Sequence, residues 1–139
     1  MGRDVDRAAL MRHLLRVRHM ELRLARASLS QAATAWREAR REAEDLETQL
    51  RTLKQGMPNN LEEVVARAKT TFTVATHLRM VAEAQESAAQ TLQLAAKAKR
   101  RAEAKKERVE HCIRVQQRTQ RERAWERYRQ EGIAAASMW

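Results

Sequence analysis

The 139-residue sequence has very few of the residues that interrupt helices. It contains one proline, Pro58, and three glycines, of which only Gly56 lies away from the chain ends. Glycine and proline are the residues that most strongly disfavour a helix interior. Their scarcity predicts one domain with two long uninterrupted helices joined by one turn. The predicted segments are a helix over 3–55, a turn at 56–60, a helix over 61–131 and a flexible tail at 132–139.

Cysteines, aromatic residues and long apolar runs are scarce as well. Cys112 is the only cysteine, so no internal disulfide can form. Aromatic residues make up 4% and charged residues 33% of the chain, which is typical of long helices and coiled coils rather than of globular domains. Charged residues interrupt every early apolar run, and no run approaches the roughly 20 residues of a membrane span. We therefore expect no signal peptide, no membrane span and a soluble protein of a reducing compartment.

The residues of an active site are missing too. The four histidines lack the spacing, or the cysteine companions, that a metal site needs. Three glycines are too few for a phosphate-binding loop or a dinucleotide fingerprint. Two helices alone offer no concave, water-excluding pocket for acid–base catalysis. We expect no catalytic residue, no cofactor and no metal, so the protein is predicted not to be an enzyme.

A regular apolar repeat is what the first span does contain. Residues recur at alternating steps of three and four, and fourteen of the fifteen positions are apolar, with Arg18 as the single break. The series is Ala8, Met11, Leu15, Arg18, Leu22, Ala25, Leu29, Ala32, Trp36, Ala39, Ala43, Leu46, Leu50, Leu53 and Met57. Such a repeat predicts a coiled-coil seam. The stripe widens at Leu10, Leu14, Val17 and Leu24, which indicates either a second partner or extra core inside a hairpin.

The second span carries a less regular repeat. The same stepping gives Leu61, Val65, Ala68, Phe72 and Ala75, and then slips by one residue at Leu78 and Ala82. The slip resembles a stutter and, with the β-branched residues around it, predicts a bent or loosened segment near 68–78. Phe72 is predicted to pack in the core, with an exposed anchor for a partner as the alternative. The predicted seam continues at Ala88 or Ala89, Leu92, Ala95, Ala102, Val109 and Ile113.

These patterns predict an all-α protein, a two-helix antiparallel coiled-coil hairpin with a longer second helix. Asn60 is expected to cap the second helix, with Glu63 at the reciprocal position of a capping box. In the folded hairpin, Met11 is expected opposite Lys106, and the second helix is expected to extend past the first beyond about residue 115.

The positive charge is unevenly distributed along the chain. Residues 1–26 carry a net charge of +4 and residues 97–131 a net charge of +7, whereas residues 27–55 and 61–96 sum to 0 and −1. A hairpin folded at the turn therefore brings the two basic regions together at its open end. Such a basic end is suited to a nucleic acid or to a protein socket with acidic or carbonyl groups. Interleaved glutamates favour the protein socket.

Two segments of the basic C-terminal half carry a resemblance to a known family. Residues 98–109, AKRRAEAKKERV, and 118–128, RTQRERAWERY, within a short basic helical hairpin, resemble the stalk protein of type III secretion systems. This is the FliJ family of flagella and its injectisome counterparts, YscO or SctO, which serve protein transport and virulence. The resemblance covers most of the chain in length and layout. The family's tyrosines on the first helix have no counterpart, because Tyr128 is the only tyrosine.

The resemblance implies a non-enzymatic, cytoplasmic stalk at the base of a secretion apparatus in the inner-membrane region. The paired helix ends would enter and stimulate a hexameric secretion ATPase, the turn-side half would face an export-gate protein, and escort chaperones would bind as further partners. The expected ATPase-contacting residues are Arg12, Arg16, Arg18, Arg114, Arg118, Arg121 and Arg123. The expected export-gate-contacting residues are Leu46, Gln49, Leu50, Leu53, Phe72, Ala75 and Leu78.

Two other functions stay open at this point. A basic coiled coil can bind nucleic acid or the ribosome through phosphate contacts, although the interleaved glutamates disfavour this reading. A purely structural helix can instead dimerise through the seam. Light scattering separates that case from the hairpin, which is predicted to be a monomer.

Overall fold

The structure, a computed structural model, describes residues 2–138 apart from the side chain of Asp4. It consists of two α-helices, α1 (Gly2–Lys54) and α2 (Leu61–Ser137), and no strand occurs within the described residues. The two helices are in close contact, and the predicted all-α helical hairpin with a longer second helix is confirmed. Trp139, the last residue of the predicted tail, lies outside the described residues.

Helix α2 extends further than the sequence indicates. It continues through Gly132 to Ser137, six residues beyond the predicted end at residue 131. One glycine disfavours a helix by only about 1 kcal/mol relative to alanine. The three alanines at 134–136 follow directly, and alanine has the highest helix propensity. The described part of the predicted tail is therefore helical almost to its end.

Hydrogen bonds close both sides of the turn. Gly56 has a φ of +82°, a left-handed conformation that glycine adopts without the steric penalty of a Cβ. The side-chain oxygen of Asn60 accepts a hydrogen bond from the N–H of Glu63 at 2.8 Å and so caps α2. The carboxylate of Glu63 accepts in return from the N–H of Asn59 at 2.6 Å. The predicted cap by Asn60 is present, but the carboxylate of Glu63 binds the N–H of Asn59 and not that of Asn60.

The chain divides into two compact units, each built from parts of both helices. The terminal unit comprises Met1–Leu24 and Arg100–Trp139, and the turn unit comprises Ala25–Lys99. Leu22, Ala102 and Val109 are the buried residues of the terminal unit. In the turn unit, the core cluster consists of Ala43, Leu46 and Val81, with Val74 and Leu78 packed against it.

The predicted seam of α1 is the buried side of that helix. Every member of the series from Ala8 to Leu53 is buried or half-buried, Arg18 included. Met57 is the exception and is 90% exposed, because α1 ends three residues before it. The alternation of three and four therefore identified the packing face of α1 from Ala8 to Leu53.

The first part of the predicted seam of α2 is wrong. Leu61, Val65, Ala68, Phe72 and Ala75 are all exposed, and so is Ala82 after the predicted slip. The packed side of α2 follows another series of buried or half-buried residues: Glu63, Arg67, Thr71, Val74, Leu78, Val81, Gln85, Ala88, Leu92, Ala95, Lys99, Ala102, Lys106, Val109, Ile113 and Gln116. The half-buried residues Ala89, Ala96, Glu103, Glu110 and Thr119 flank or follow this series.

From Thr71 to Gln116 this true seam of α2 alternates between steps of three and four without a slip. The apparent stutter at Leu78 arose because the apolar series began on the exposed side of the helix. Gln85, Lys99 and Lys106 occupy seam positions, and long polar side chains can pack their methylene stems against apolar neighbours. Hydropathy alone therefore favoured the wrong face, while the later predicted members from Ala88 to Ile113 are confirmed as part of the packed side.

The β-branched residues near 70–74 do not interrupt α2. The hydroxyls of Thr70, Thr73 and Thr76 each donate a hydrogen bond to the carbonyl oxygen four residues earlier, at 2.8–3.0 Å. These bonds satisfy the hydroxyls inside a helix. The predicted loosened segment is α-helical like the residues on either side of it.

Candidate interaction surfaces

The terminal unit carries most of the positive charge of the protein. It contains 17 basic and nine acidic residues, a net charge of +8, against +2 for the turn unit. All seven predicted ATPase-contacting arginines belong to the terminal unit. Six of them are exposed, and Arg18 is half-buried.

Several of these arginines lie at the edges of shallow grooves. Arg12 and Gln120 line a groove of about 300 Å³. Arg123 lines another of about 460 Å³, which also includes Arg7 and Cys112. The structure thus brings arginines of both helices to the same part of the terminal unit.

The remaining exposed arginines are distributed along the outer surface. Arg118 lies with Nε 3.5 Å from the carboxylate of Glu122, one helical turn later. Arg121 lines a groove of about 510 Å³ with Trp125 and Tyr128. Arg16 and Arg114 are exposed and line none of these grooves.

Arg18 differs from the other six arginines because it lies on the packed side of α1. Its Nη1 donates to both carboxylate oxygens of Glu21, at 3.0 and 2.9 Å. Its Nε is buried and has no hydrogen-bond partner. Arg18 is therefore engaged in helix packing, which leaves it less surface for an external partner than Arg12 or Arg16.

The last part of α2 is exposed on all sides. Burial along α2 ends at Thr119, and every described residue from 120 to 138 is exposed. Met11, predicted opposite Lys106, instead shares a groove with Cys112 and Val115. The helices of the terminal unit are thus paired several residues later on α2 than predicted, and the exposed segment begins after residue 119 rather than 115.

Two aromatic rings are stacked within this exposed segment. Trp125 and Tyr128 are 63% and 70% exposed, with ring centroids 6.0 Å apart and an interplanar angle of 27°. Their spacing of three residues places them on adjacent turns of one helix face. They form the only pair of stacked rings within the described residues.

The seven predicted gate-contacting residues belong to the turn unit but differ in exposure. Leu46 is 7% exposed and forms the core cluster, against which Leu78 packs. Leu50 and Leu53 are half-buried on the packed side of α1. Leu46 and Leu78 therefore hold the helices together and present little surface to a partner.

The other members of the predicted gate surface are accessible. Gln49 and Ala75 are exposed, and Phe72 is 75% exposed. The structure brings Phe72 and Ala75 together with Leu53 in one groove of about 550 Å³. The core position predicted for Phe72 is wrong, and the alternative of an exposed side chain is correct.

The wide apolar face predicted near the N-terminus is also largely exposed. Leu10 and Leu24 are both 67% exposed, Leu14 is 37% exposed and Val17 is half-buried. Of the two explanations given by the sequence, a face open to a second partner agrees with these exposures and extra core does not.

Sequence reasoning missed the part that Arg67 has in the turn unit. Its Nη1 donates a hydrogen bond to the carbonyl oxygen of Gly56 at 2.8 Å. The only local hint is the spacing of four residues between Glu63 and Arg67, which is typical of helix ion pairs. The contact with Gly56 depends on the path of the turn, which the sequence does not specify.

The described residues contain no feature that points to metal or membrane chemistry. No group of three or more His, Cys, Asp or Glu side chains within residues 2–138 is placed to hold a metal ion. Neither α1 nor α2 has, in its described part, a stretch long and apolar enough to cross a bilayer. Comparison of the chain with known protein families, with characterised proteins and with solved structures finds no match.

Proposed function

We propose that this protein is a non-enzymatic central stalk of a type III secretion system. In this proposal it binds and stimulates a hexameric secretion ATPase and links that enzyme to an export-gate protein and to escort chaperones. It acts in the cytoplasm at the base of the secretion apparatus. The observation that carries the proposal is the charge of the terminal unit, a net +8 with six exposed arginines from both helices, three of which line its grooves.

The identity of the partner rests on the resemblance of residues 98–109 and 118–128 to the FliJ, YscO and SctO stalk proteins. A pore lined by acidic or carbonyl groups would attract the arginines of the terminal unit. Exposed ion pairs contribute only about 0.2–1 kcal/mol each, so many of them attract the stalk without locking it in one orientation. Many weak ion pairs suit a stalk that has to stay bound in the pore while the ATPase around it changes conformation.

In the turn unit, the accessible side chains of the predicted gate surface are Gln49, Phe72 and Ala75. Leu53 lines the same groove as Phe72 and Ala75. An exposed phenylalanine next to an apolar groove is the kind of anchor that contributes strongly to protein interfaces. The export-gate contact is therefore proposed for Phe72 and its neighbours rather than for the core residues Leu46 and Leu78.

The experiment is an ATP hydrolysis assay of the secretion ATPase with and without this protein. The test variant reverses four arginines of the terminal unit: Arg114, Arg118, Arg121 and Arg123 to Glu. The matched control reverses four exposed arginines of the turn unit: Arg26, Arg37, Arg41 and Arg79 to Glu. Both variants change the net charge by the same amount. We expect the first to lose stimulation and the second to keep it; unchanged stimulation by the first would rule out the proposed role of the terminal unit.

A second candidate function is binding of nucleic acid or the ribosome, and one observation favours it. The stacked and exposed rings of Trp125 and Tyr128 lie in a groove with Arg121. Aromatic rings beside arginines are a common platform for stacking unpaired bases. A gel shift at about 50 and about 150 mM salt tests this candidate, because phosphate binding falls steeply with salt. Tight binding at the higher salt, lost on changing Trp125 and Tyr128 to Ala, would favour it over the stalk.

A further inference from the structure

Helix α2 carries a second apolar seam that has no partner within the described chain. We name it the exposed stripe, and its residues are Leu61, Val65, Ala68, Phe72 and Ala75. They follow one another at steps of four, three, four and three, the spacing of a coiled-coil seam. Leu61 is 77% exposed, Val65 47% and Phe72 75%. A contiguous apolar surface with this spacing is suited to packing against another helix.

The charged residues beside the exposed stripe can form ion pairs with the same residues of a second, antiparallel helix. Glu62 and Lys69 lie along one edge of it, seven residues apart and opposite in sign. Along the other edge lie Val64 and Thr71, which carry no charge. A second helix that bears the same edge in the antiparallel direction therefore presents a lysine to Glu62 and a glutamate to Lys69. A second copy of this chain supplies such a helix.

One antiparallel register satisfies both the apolar and the charged residues. When Val65 is level with Ala68 of a second copy, Leu61 is level with Phe72 of that copy. In the same register, Glu62 is offset from the second copy's Lys69 by two residues, or about 3 Å along the helix axis. Side chains of glutamate and lysine span that offset. A two-fold axis makes every one of these contacts twice.

Grooves on both sides of the exposed stripe can receive the side chains of a second copy. One, of about 380 Å³, is lined by Leu61, Glu62, Val65 and Lys69. The other, of about 550 Å³, is lined by Phe72 together with Leu53 of α1. In the register described above, Phe72 of a second copy lies beside the first of these grooves. Insertion of side chains into such spaces is how coiled-coil helices pack.

We infer that this protein forms a weak, two-fold symmetric homodimer in which the exposed stripes of two copies pack antiparallel. The turn unit has a net charge of only +2, so association there brings less like charge together than association through the terminal unit. The hairpin alone predicts a monomer, and the exposed stripe changes that expectation. The interface is short, and interfaces that bury less than about 1,200 Å² are typical of weak, transient association.

The dimer has a consequence for the rest of the surface, although the inference does not depend on the proposed function. It covers Phe72 and Ala75, which are also the accessible residues of the predicted export-gate surface. Self-association and binding of another protein at this groove therefore exclude each other.

The first test is sedimentation equilibrium of the full chain from about 1 µM to about 1 mM, a range that brackets such an interface. A reducing agent is included so that the exposed Cys112 does not form disulfide dimers. We expect a reversible monomer–dimer equilibrium. Phe72→Glu raises the dissociation constant about tenfold or more, because it places a charge at an apolar anchor. The control Met80→Glu changes a residue of α2 that is 64% exposed and lies outside the exposed stripe, and it leaves the constant unchanged.

The second test uses the charges at the edge of the exposed stripe. Glu62→Lys and Lys69→Glu each place like charges together in their own homodimer and weaken it roughly threefold to tenfold. An equimolar mixture of the two variants restores the affinity, since the mixed dimer again pairs lysine with glutamate at both sites. Circular dichroism confirms that each variant is as helical as the parent. A chain that stays monomeric at all concentrations, a dimer insensitive to Phe72→Glu, or a mixture without recovery would each overturn the inference.

Discussion

The guanidinium of Arg67 donates a hydrogen bond to the carbonyl oxygen of Gly56, 2.8 Å away and eleven residues earlier in the chain. The same guanidinium lies 3.8 Å from one carboxylate oxygen of Glu63, whose other oxygen accepts the N–H of Asn59. The last carbonyls of a helix have no partner within the helix, and a cation beside them is favourable. Arg67 thus connects the end of α1 to the first turns of α2.

Replacement of Arg67 by alanine should weaken the turn. The carbonyl of Gly56 loses a charge-assisted hydrogen bond and Glu63 loses its nearby cation, so we expect the free energy of unfolding to fall by about 1 kcal/mol. Arg79→Ala serves as the control, because Arg79 is an exposed arginine of the same helix away from the turn. Urea denaturation followed by circular dichroism measures both. An equal effect of the two substitutions would show that the contact with Gly56 contributes nothing.

The same substitution at two glycines should have opposite effects. Gly56 has a positive φ, so Gly56→Ala introduces a strained backbone and lowers the free energy of unfolding by about 1 kcal/mol. Gly132 lies within α2, and an added Cβ would meet nothing within 4 Å apart from the adjacent backbone of its own helix. Gly132→Ala should therefore raise the helix content of the last turns. The two variants are compared by circular dichroism at low and rising temperature, and destabilisation by Gly132→Ala would contradict the helix through residue 132.

Arg18 should be replaceable by an apolar residue with a gain in stability. Its Nε is buried without a partner at a seam position where the other members are apolar. Arg18→Leu removes that desolvated group and completes the seam, so we expect the free energy of unfolding to rise by about 1 kcal/mol. Arg16→Leu changes an exposed neighbour and should have no such effect.

The ion pair of Arg18 adds a second test of the same site. Glu21→Ala leaves the half-buried guanidinium without its carboxylate and should lower the free energy of unfolding by about 1 kcal/mol. In the background of Arg18→Leu, this second substitution should have little further effect, because the two residues act as a pair. Full additivity in this double-mutant cycle would mean that the pair is not formed.

Two residues first assigned to one partner surface should respond very differently to truncation. Leu46 is 7% exposed in the core of the turn unit, and Leu46→Ala should lower the free energy of unfolding by about 2–4 kcal/mol. Phe72 is 75% exposed, so Phe72→Ala should change it by no more than about 0.5 kcal/mol. Urea denaturation measures the free energy of unfolding of both variants at about 1 µM protein, a low concentration at which a weak dimer dissociates. A large loss on truncating Phe72 would place it in the core after all.

Much of the fold follows from local patterns. Gly56 and Pro58 locate the turn, and the apolar series from Ala8 to Leu53 identifies the packed side of α1. On α2 the same method selected Leu61 to Ala75, which are exposed, because this face is more apolar than the one that packs against α1. Spacing and hydropathy show that a seam exists on a helix. They do not show which of two seams faces the neighbouring helix.

The candidate surfaces were predictable to a smaller degree. The excess of arginine near both ends is visible in the sequence, but the half-burial of Arg18 and the position of Met11 beside Cys112 depend on the pairing of the two helices. A shift of a few residues in that pairing moves every groove along the terminal unit. Helix packing likewise separates the residues of the predicted gate surface, because Leu46 is buried in the core and Phe72 is exposed to solvent.

The amino-acid sequence by itself determined that this chain forms two long helices, where they are interrupted, and where the positive charge lies, because helix propensity, turn chemistry and charge are properties of neighbouring residues. Only the tertiary structure decided which side of α2 is packed. That choice depends on the side chains of α1 and on the length of the turn. As a result, Gln85, Lys99 and Lys106 are half-buried at seam positions. The residues left outside by that choice form the exposed stripe, and they are the ones that a second molecule can reach.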